Sequence, residues 1–381
     1  MSLNTLNTIA TLNSVITFNT TTKLRSIFSP RALSRYIAAS GAACLLTFSS
    51  LSWSDYSQHA LAEDFVKTMV EEHQFDAEKV RGLLSEATKK QSILDAMSRP
   101  AEKTKAWHEY RKIFLGKTRI DQGVEFWQKN QQQLSNASAK YGVPESIIVS
   151  IIGVETRYGR HAGKYRVIDA LSTLAFDYPK RAKFFRKELV QFLLLTQEQK
   201  IDPLDLKGSY AGAMGYGQFM PSSYRAYAVD FDGDEKADIW KNETDVIGSV
   251  ANYFKRHHWK AGQPVVERAR ISKTYTKSML NSRSKPKSTL SELNSNGYQL
   301  VNAENTEKYA ASKAIPLSYQ GVHGTEFWIG FNNFYVITRY NRSHMYALAV
   351  WQLSEEIAQS YQKTSKAEQT TSAQSPAPLI K

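Results

Sequence analysis

Three stretches of the chain carry residue types whose spacing could do chemistry. In Val143–Gly163, Ile147, Ile148, Ile151 and Ile152 recur at helical spacing and mark an apolar face. The next step along that face is Glu155. A carboxyl on an apolar stripe is costly unless paired or protonated. Burial raises a carboxyl pKa, which suits a general acid near neutral pH. The same position also suits a purely structural ion pair, for instance with Arg157. The second stretch, Gly208–Pro221, reads GSYAGAMGYGQFMP. Its glycines are too frequent for a plain helix and allow close backbone approach to a ligand, or a tight turn between helices. Gln218 is the polar group placed to point inward, with Ser209 and Tyr210 just upstream. In the third stretch, Asp230, Asp232, Asp234 and Asp238 stand at positions 1, 3, 5 and 9 of an EF-hand-like loop, with the Lys236 carbonyl at position 7. Glu235 replaces the usual glycine at position 6 and Lys241 the usual glutamate at position 12, so Glu243 or Asp245 would have to close the site. Alternating aspartates favour a cation, calcium by this pattern; a solvated acidic turn is the plainer reading.

The elements that must position these groups are mostly helical. Pro144 and Glu145 start the Glu155 helix, proline at the first helical position and the acid at the positive end of the dipole. Apolar residues at three- and four-residue steps predict helices over Ala62–Glu72, Ala77–Glu86, Gly123–Tyr141, Ile168–Leu174, Arg181–Gln197, Ile247–His257 and His344–Gln362. Trp107–Arg111 forms an aromatic and basic cluster suited to packing or binding. Val265–Ile271 alternates like a strand, and Thr325–Phe331 with Phe334–Thr338 predicts a hairpin about Asn332-Asn333. Ser282–Ser288 is a polar loop. The Ser/Thr/Gln/Pro-rich tail from Lys363 predicts disorder. His257 and His258 are adjacent rather than spaced as metal ligands, and the chain has no nucleophile elbow or phosphate loop.

The chain has 49 basic and 36 acidic residues. Its first 54 residues hold Lys23, Arg25, Arg31 and Arg35 and no acid, which leaves +9 for the remainder. The basic residues precede a short apolar run, Tyr36–Phe48, and small residues at Ser52 and Ser54, the pattern of a cleavable signal peptide. An uncleaved membrane anchor is the alternative. Cys44 is the one cysteine, and its neighbours do not suit lipidation, so no intramolecular disulfide is expected. A positive exported chain favours an acidic polymer, and nothing in it points to nucleic acid.

Taken together, IIGVETRYGR, GSYAGAMGYGQFMPSSY, VDFDGD, DVIGSVANYF and RYN at 339–341 resemble the lytic murein transglycosylase B family, the family 3 peptidoglycan lytic transglycosylases, over about residues 60–362. The resemblance implies an α+β, mainly α fold: a lysozyme-like core with a helical domain and a small inserted β-domain. It divides the chain into a signal region 1–54, an N-terminal helical region 55–142, the core 143–262, a β insert 263–333, a return to the core 334–362 and a disordered tail 363–381. It implies cleavage of the β-1,4 bond between N-acetylmuramic acid and N-acetylglucosamine, leaving 1,6-anhydromuramoyl ends, with Glu155 as the single acid/base. Ser209, Gln218, Tyr253, Tyr340, Asn341, Tyr346 and Tyr110 match residues that hold the sugars. Asp230, Asp232, Asp234, Lys236 and Asp245 match a structural calcium site, although one extra residue precedes Asp245 here. The implied location is the periplasm. The implied partners are peptidoglycan strands and other cell-wall enzymes, with no organic cofactor. A hydrolysing muramidase and a non-catalytic wall-binding scaffold remain as alternatives. Glycosidases normally use two carboxylates, and Asp169 and Asp177 are the nearest that follow Glu155 in sequence.

Overall fold

The computed structural model describes residues 55–98 and 105–373. The expected leader, with Cys44 and the Ser52–Ser54 processing site, and residues 374–381 lie outside them. The helices of the first half are α1 (Ala62–His73), α2 (Ala77–Glu86), α3 (Gln91–Ser98), α4 (Trp107–Tyr110), α5 (Lys117–Lys129), α6 (Gln131–Tyr141) and α7 (Glu145–Thr156). A two-residue strand, β1 (Tyr165–Arg166), then leads into α8 (Val167–Asp177) and α9 (Ala182–Glu198). It pairs with β2 (Lys207–Gly208), which opens the glycine-rich loop. The loop ends in α10 (Pro221–Tyr227), and the acidic stretch leads to α11 (Glu243–Arg256).

Helix α7 is the centre of the molecule. Every residue from Ile147 to Thr156 is buried, so the one apolar face read from sequence is in fact a helix covered on all sides. Pro144 precedes the first turn as its N-cap and is not part of it. The expected helix Gly123–Tyr141 is two helices, broken at Asn130. That side chain is buried and donates to Phe126 O at 3.1 Å and to Glu243 Oε2 at 2.7 Å, tying the break to α11.

The second half contributes β3 (Val266–Ile271), β4 (Ser288–Thr289), α12 (Leu290–Ser295), β5 (Tyr298–Leu300), α13 (Ala303–Lys308), β6 (Lys313–Gly321) and β7 (Gly324–Phe331). These strands form one antiparallel sheet in the order β4-β6-β7-β3-β5. Alternation gives the sheet two apolar faces. Ile315, Leu317, Tyr319 and Trp328 join the main core, whereas Ala314, Ile329 and Phe331 pack with Leu290, Leu293, Tyr298 and Leu300 in a smaller one.

Helices α14 (Asn332–Tyr340) and α15 (His344–Ala373) complete the fold, and α15 packs on α5 and α7. The architecture is α+β and mainly α. Two expectations fail here. The hairpin turns at Val322-His323, between Gly321 and Gly324, not at Asn332-Asn333. Phe334–Thr338 is helical because Asn333 is buried and anchors the first turn. Its Oδ1 accepts from Lys260 N at 2.9 Å, and its Nδ2 donates to Lys260 O at 2.8 Å and Gln263 O at 3.0 Å. Tertiary bonds override the strand propensity of the apolar run. The tail from Lys363 is also not irregular: α15 continues to Ala373, since Lys, Ala, Glu and Gln are good helix formers and the prolines come only after it.

Asn333→Ala should cost about 3 kcal/mol, since it strips three bonds from buried backbone groups. A urea titration would read this as a lower midpoint with an unchanged slope; an unchanged midpoint would show that the junction does not depend on Asn333.

Candidate active site

Glu155 sits on the last turn of α7 and is buried. Beyond Thr156 the chain reverses through Arg157 and Tyr158, both left-handed at φ +51° and +59°. Gly153 permits this: a Cβ there would lie 2.5 Å from the Tyr158 hydroxyl, so the ring can fold back over the helix only because Gly153 has no side chain. The Tyr158 hydroxyl donates to Arg119 O at 2.9 Å, and Arg119 Nη1 donates to Gly153 O at 3.0 Å. Burial pushes the Arg119 guanidinium down to about 10, which still leaves it charged at neutral pH. Arg119 and Thr156 are positioning residues that the sequence reading missed. Arg119 left no pattern to find; the one signal for Thr156 is its place next to Glu155.

Tyr346, in the first turn of α15, donates its hydroxyl to Glu155 Oε1 at 2.6 Å. Tyr340 lies beside them and donates to Gly217 O at 2.6 Å. The absence of a side chain at Gly217 admits this bond, because a Cβ would stand 2.9 Å from the Tyr340 hydroxyl. Burial first, and then the charge of Glu155, raise both phenols well above their ordinary range, so they act as neutral donors. Tyr253 lies close by, its ring tilted against Tyr340 with 4.6 Å between ring centres, and donates to Arg339 O at 2.7 Å. Gln218 has a left-handed backbone and donates to Ala162 O at 3.1 Å and Gly215 O at 2.9 Å, while its buried Oε1 has no hydrogen-bond partner among the described residues.

The other expected glycan-holding residues have structural contacts of their own. Asn341 accepts from Ser343 N at 3.1 Å and so shapes the turn into α15. Ser209 is fully buried and accepts from Ala213 N at 3.0 Å, closing the base of the glycine loop. Tyr110 is buried against Trp107 and Phe114, with its phenol near enough to act on Tyr346. Asp169 and Asp177 are engaged elsewhere. Asp169 binds Arg166 and accepts from Thr88 N at 2.9 Å, and Asp177 accepts from the Tyr56 hydroxyl at 2.6 Å. Both hold the N-terminal segment onto α8.

In the acidic stretch, Asp230, Asp232, Asp234 and Asp245 each place a carboxylate oxygen within 4.8 Å of the others. Asp230 accepts from the backbone N–H groups of Gly233, Asp234 and Glu235, which wraps the loop around its carboxylate. Lys236 N donates to Asp234 Oδ1 at 3.0 Å. Asp238, at the ninth loop position, stays out of the cluster, because its side chain caps Trp240 N and Lys241 N. Asp245 is fully buried and accepts from Phe231 N and Asp238 N. Burial, and less so the charges of Asp232 and Asp230, push it up to about 6. A cation would relieve that cost, so the donor set fits one. The loop also reaches the Glu155 turn: Tyr216 N donates to Ile239 O at 3.0 Å, and Thr156 Oγ1 donates to Tyr216 O at 3.0 Å.

The profile of the Transglycosylase SLT domain family matches residues 57–355. The chain is 43% identical over 313 residues to membrane-bound lytic murein transglycosylase B of Escherichia coli K12, covering 80% of this chain and 84% of that one. Among solved structures, it is similar to the catenated lytic transglycosylase SltB1 of Pseudomonas aeruginosa, with 53% identity and a TM-score of 0.77 over 81% of this chain and all of that one. It is also similar to the Escherichia coli lytic transglycosylase Slt35 in complex with calcium, with 43% identity and a TM-score of 0.73 over 81% of this chain and 95% of that one.

Tyr340→Phe removes the donor to Gly217 O and should cost about 1 kcal/mol. It should also speed hydrogen exchange across residues 208–221 more than elsewhere. Unchanged exchange in that segment would show that the loop is held without Tyr340.

Proposed function

The chain belongs to the lytic murein transglycosylase B family, and we infer from that membership and from the site that it is a lyase with a lysozyme-like core. It cleaves the β-1,4 bond between N-acetylmuramic acid and N-acetylglucosamine in peptidoglycan and leaves 1,6-anhydromuramoyl ends. The observation that carries the mechanism is the disposition of the buried acids. Among the described residues these are Glu155, Asp169, Glu188 and Asp245. Asp169 binds Arg166, Glu188 caps α10 through Ser222, and Asp245 faces the acidic loop, so of these four Glu155 alone stands with Tyr340 and Tyr346.

One carboxyl suffices when the substrate supplies its own nucleophile. Glu155 as the acid protonates the glycosidic oxygen while the bond from C1 to that oxygen breaks. As the carboxylate it then takes the proton of the muramoyl 6-hydroxyl, whose oxygen bonds to C1. The proton returns to Glu155 and no water enters. Tyr346 donates to Oε1, which orients the carboxyl and assigns the transferable proton to Oε2. Gln218, Tyr253, Tyr340 and Asn341 hold the sugars in this reading, Gln218 Oε1 as an acceptor for a sugar donor. Tyr110 and Ser209 support them from behind. We divide the chain into core 143–262 with 334–362 and insert 263–333, a reading supported by the run of strands from Val266 to Phe331.

We place calcium in the acidic loop, held by Asp230, Asp232, Asp234, Asp245 and the Lys236 carbonyl, where it would neutralise the cluster and stiffen the link through Tyr216 to Thr156. Export to the periplasm rests on the basic and apolar pattern before residue 55. Among the described residues, no helix is long and apolar enough to cross a membrane.

Glu155→Gln should lower kcat by about 10⁴-fold or more, with fold and glycan binding retained, since general acid–base assistance is worth about 10²–10⁴-fold. Asp169→Asn and Asp177→Asn should affect stability more than turnover. Full activity in Glu155→Gln would rule out the assignment. For the metal, a cation about 100-fold above its dissociation constant adds about 2.7 kcal/mol. The protein should therefore melt higher in calcium than in chelator, and Asp230→Ala with Asp234→Ala should abolish the difference. Equal melting of the unaltered protein in both would remove calcium from the loop.

A further inference from the structure

We propose that Arg283 and Arg342 form an anion subsite beside the glycan cleft that takes the free carboxylates of the muramoyl stem peptide. The proposal rests on the peptidoglycan reading above and specifies which part of the strand is recognised besides the sugars.

Two neighbouring residues of β6 bring the arginines together. Ser318 exchanges hydrogen bonds with Asn281: Asn281 Nδ2 donates to Ser318 Oγ at 2.9 Å, and Ser318 N donates to Asn281 Oδ1 at 3.0 Å. Asn281 N also donates to Pro316 O at 2.9 Å. The root of the 281–287 loop is thus pinned to the strand, with Arg283 exposed two residues further on. The next residue, Tyr319, donates its hydroxyl to His344 O at 3.1 Å and pins the start of α15. Arg342 lies two residues before that point. Both arginines therefore lie in segments that leave from the same part of β6.

Their fields overlap accordingly. After burial, the charge of Arg283 is what acts on His344, which is pushed down to about 4. Arg342 is lowered by partial burial and then by Arg339 and Arg283, with the Tyr335 phenol opposing. Cations gathered at one place repel one another unless anions intervene. Some other surface arginines have carboxylate partners, as in Arg225–Glu198 and Arg268–Glu326. Among the described residues, no carboxylate forms an ion pair with Arg283 or Arg342. An arrangement of this kind invites an anionic ligand, and guanidinium groups match carboxylates in bidentate geometry.

The location decides which anion. Arg342 follows Asn341 directly, and Tyr346, four residues on, holds Glu155. A group reaching this patch must hang from the strand close to the bond being cut. The sugar hydroxyl and acetamido groups are neutral. The muramoyl residue, however, carries a peptide with free side-chain and terminal carboxylates, and these are the anions the strand can present.

The test compares strands with free stem carboxylates against the same strands after chemical amidation, which changes the charge and leaves glycan and peptide in place. The unaltered protein should prefer the free carboxylates in kcat/KM, and added salt should narrow the preference. In Arg283→Ala with Arg342→Ala that preference should fall about five-fold, through KM, as expected for loss of partly exposed ion pairs. The Lys double variant should recover most of it. A preference unchanged in the Ala double variant, or a loss of kcat equal on both strands, would overturn the subsite. Absence of anhydro ends from every strand would instead overturn the lytic reading, and this proposal with it.

Discussion

The structure depends on one costly placement: a carboxyl at the end of a helix that is buried on every side. An apolar environment tolerates Glu155 only because a donor is aimed at it, and that donor comes from Tyr346, 191 residues away in sequence. Much of the remaining architecture fixes the relation between those two residues. Arg119 and Tyr158 hold the end of α7, and Asn341 and Tyr319 hold the start of α15. The tyrosines themselves are buried deeply enough to stay neutral, so they donate hydrogen bonds without competing for the proton that Glu155 would move in the proposed reaction.

The glycine-rich loop and the acidic loop extend this support outward. Gly217 lets Tyr340 reach the loop backbone, and Gln218 is held in a left-handed conformation with its acceptor oxygen left over. Tyr216 receives a bond from Thr156 and gives one to Ile239, so the residue next to Glu155 is mechanically joined to the segment carrying the aspartates. A cation among those aspartates would act through that chain of contacts and not on the sugar. It would stabilise the site without taking part in bond breaking.

Much of this was legible in the sequence, and the failures have physical causes. The α2 helix has the bounds that its apolar spacing predicts, and Glu155, the glycine loop and three of the aspartates stood out by residue type. What local pattern cannot carry is long-range satisfaction of polar groups. Asn130 splits a helix and Asn333 begins one, each because its side chain bonds to a distant segment. Asp238 has the right spacing for a ligand but caps a turn, while Asp245, offset by the extra residue, joins the cluster from α11. The clustering of Arg283 with Arg342 likewise exists only once β6 has brought two separate loops to one place.

The claim that Glu155 works alone, with the substrate as its own nucleophile, is tested most directly by digesting peptidoglycan in water enriched in heavy oxygen and weighing the fragments. A lyase leaves muramoyl ends lighter by one water than hydrolysis products, with no heavy oxygen and no reducing group. Reducing muramoyl ends carrying the label would contradict the claim, because a water molecule, and with it a second catalytic group, would then have entered the reaction.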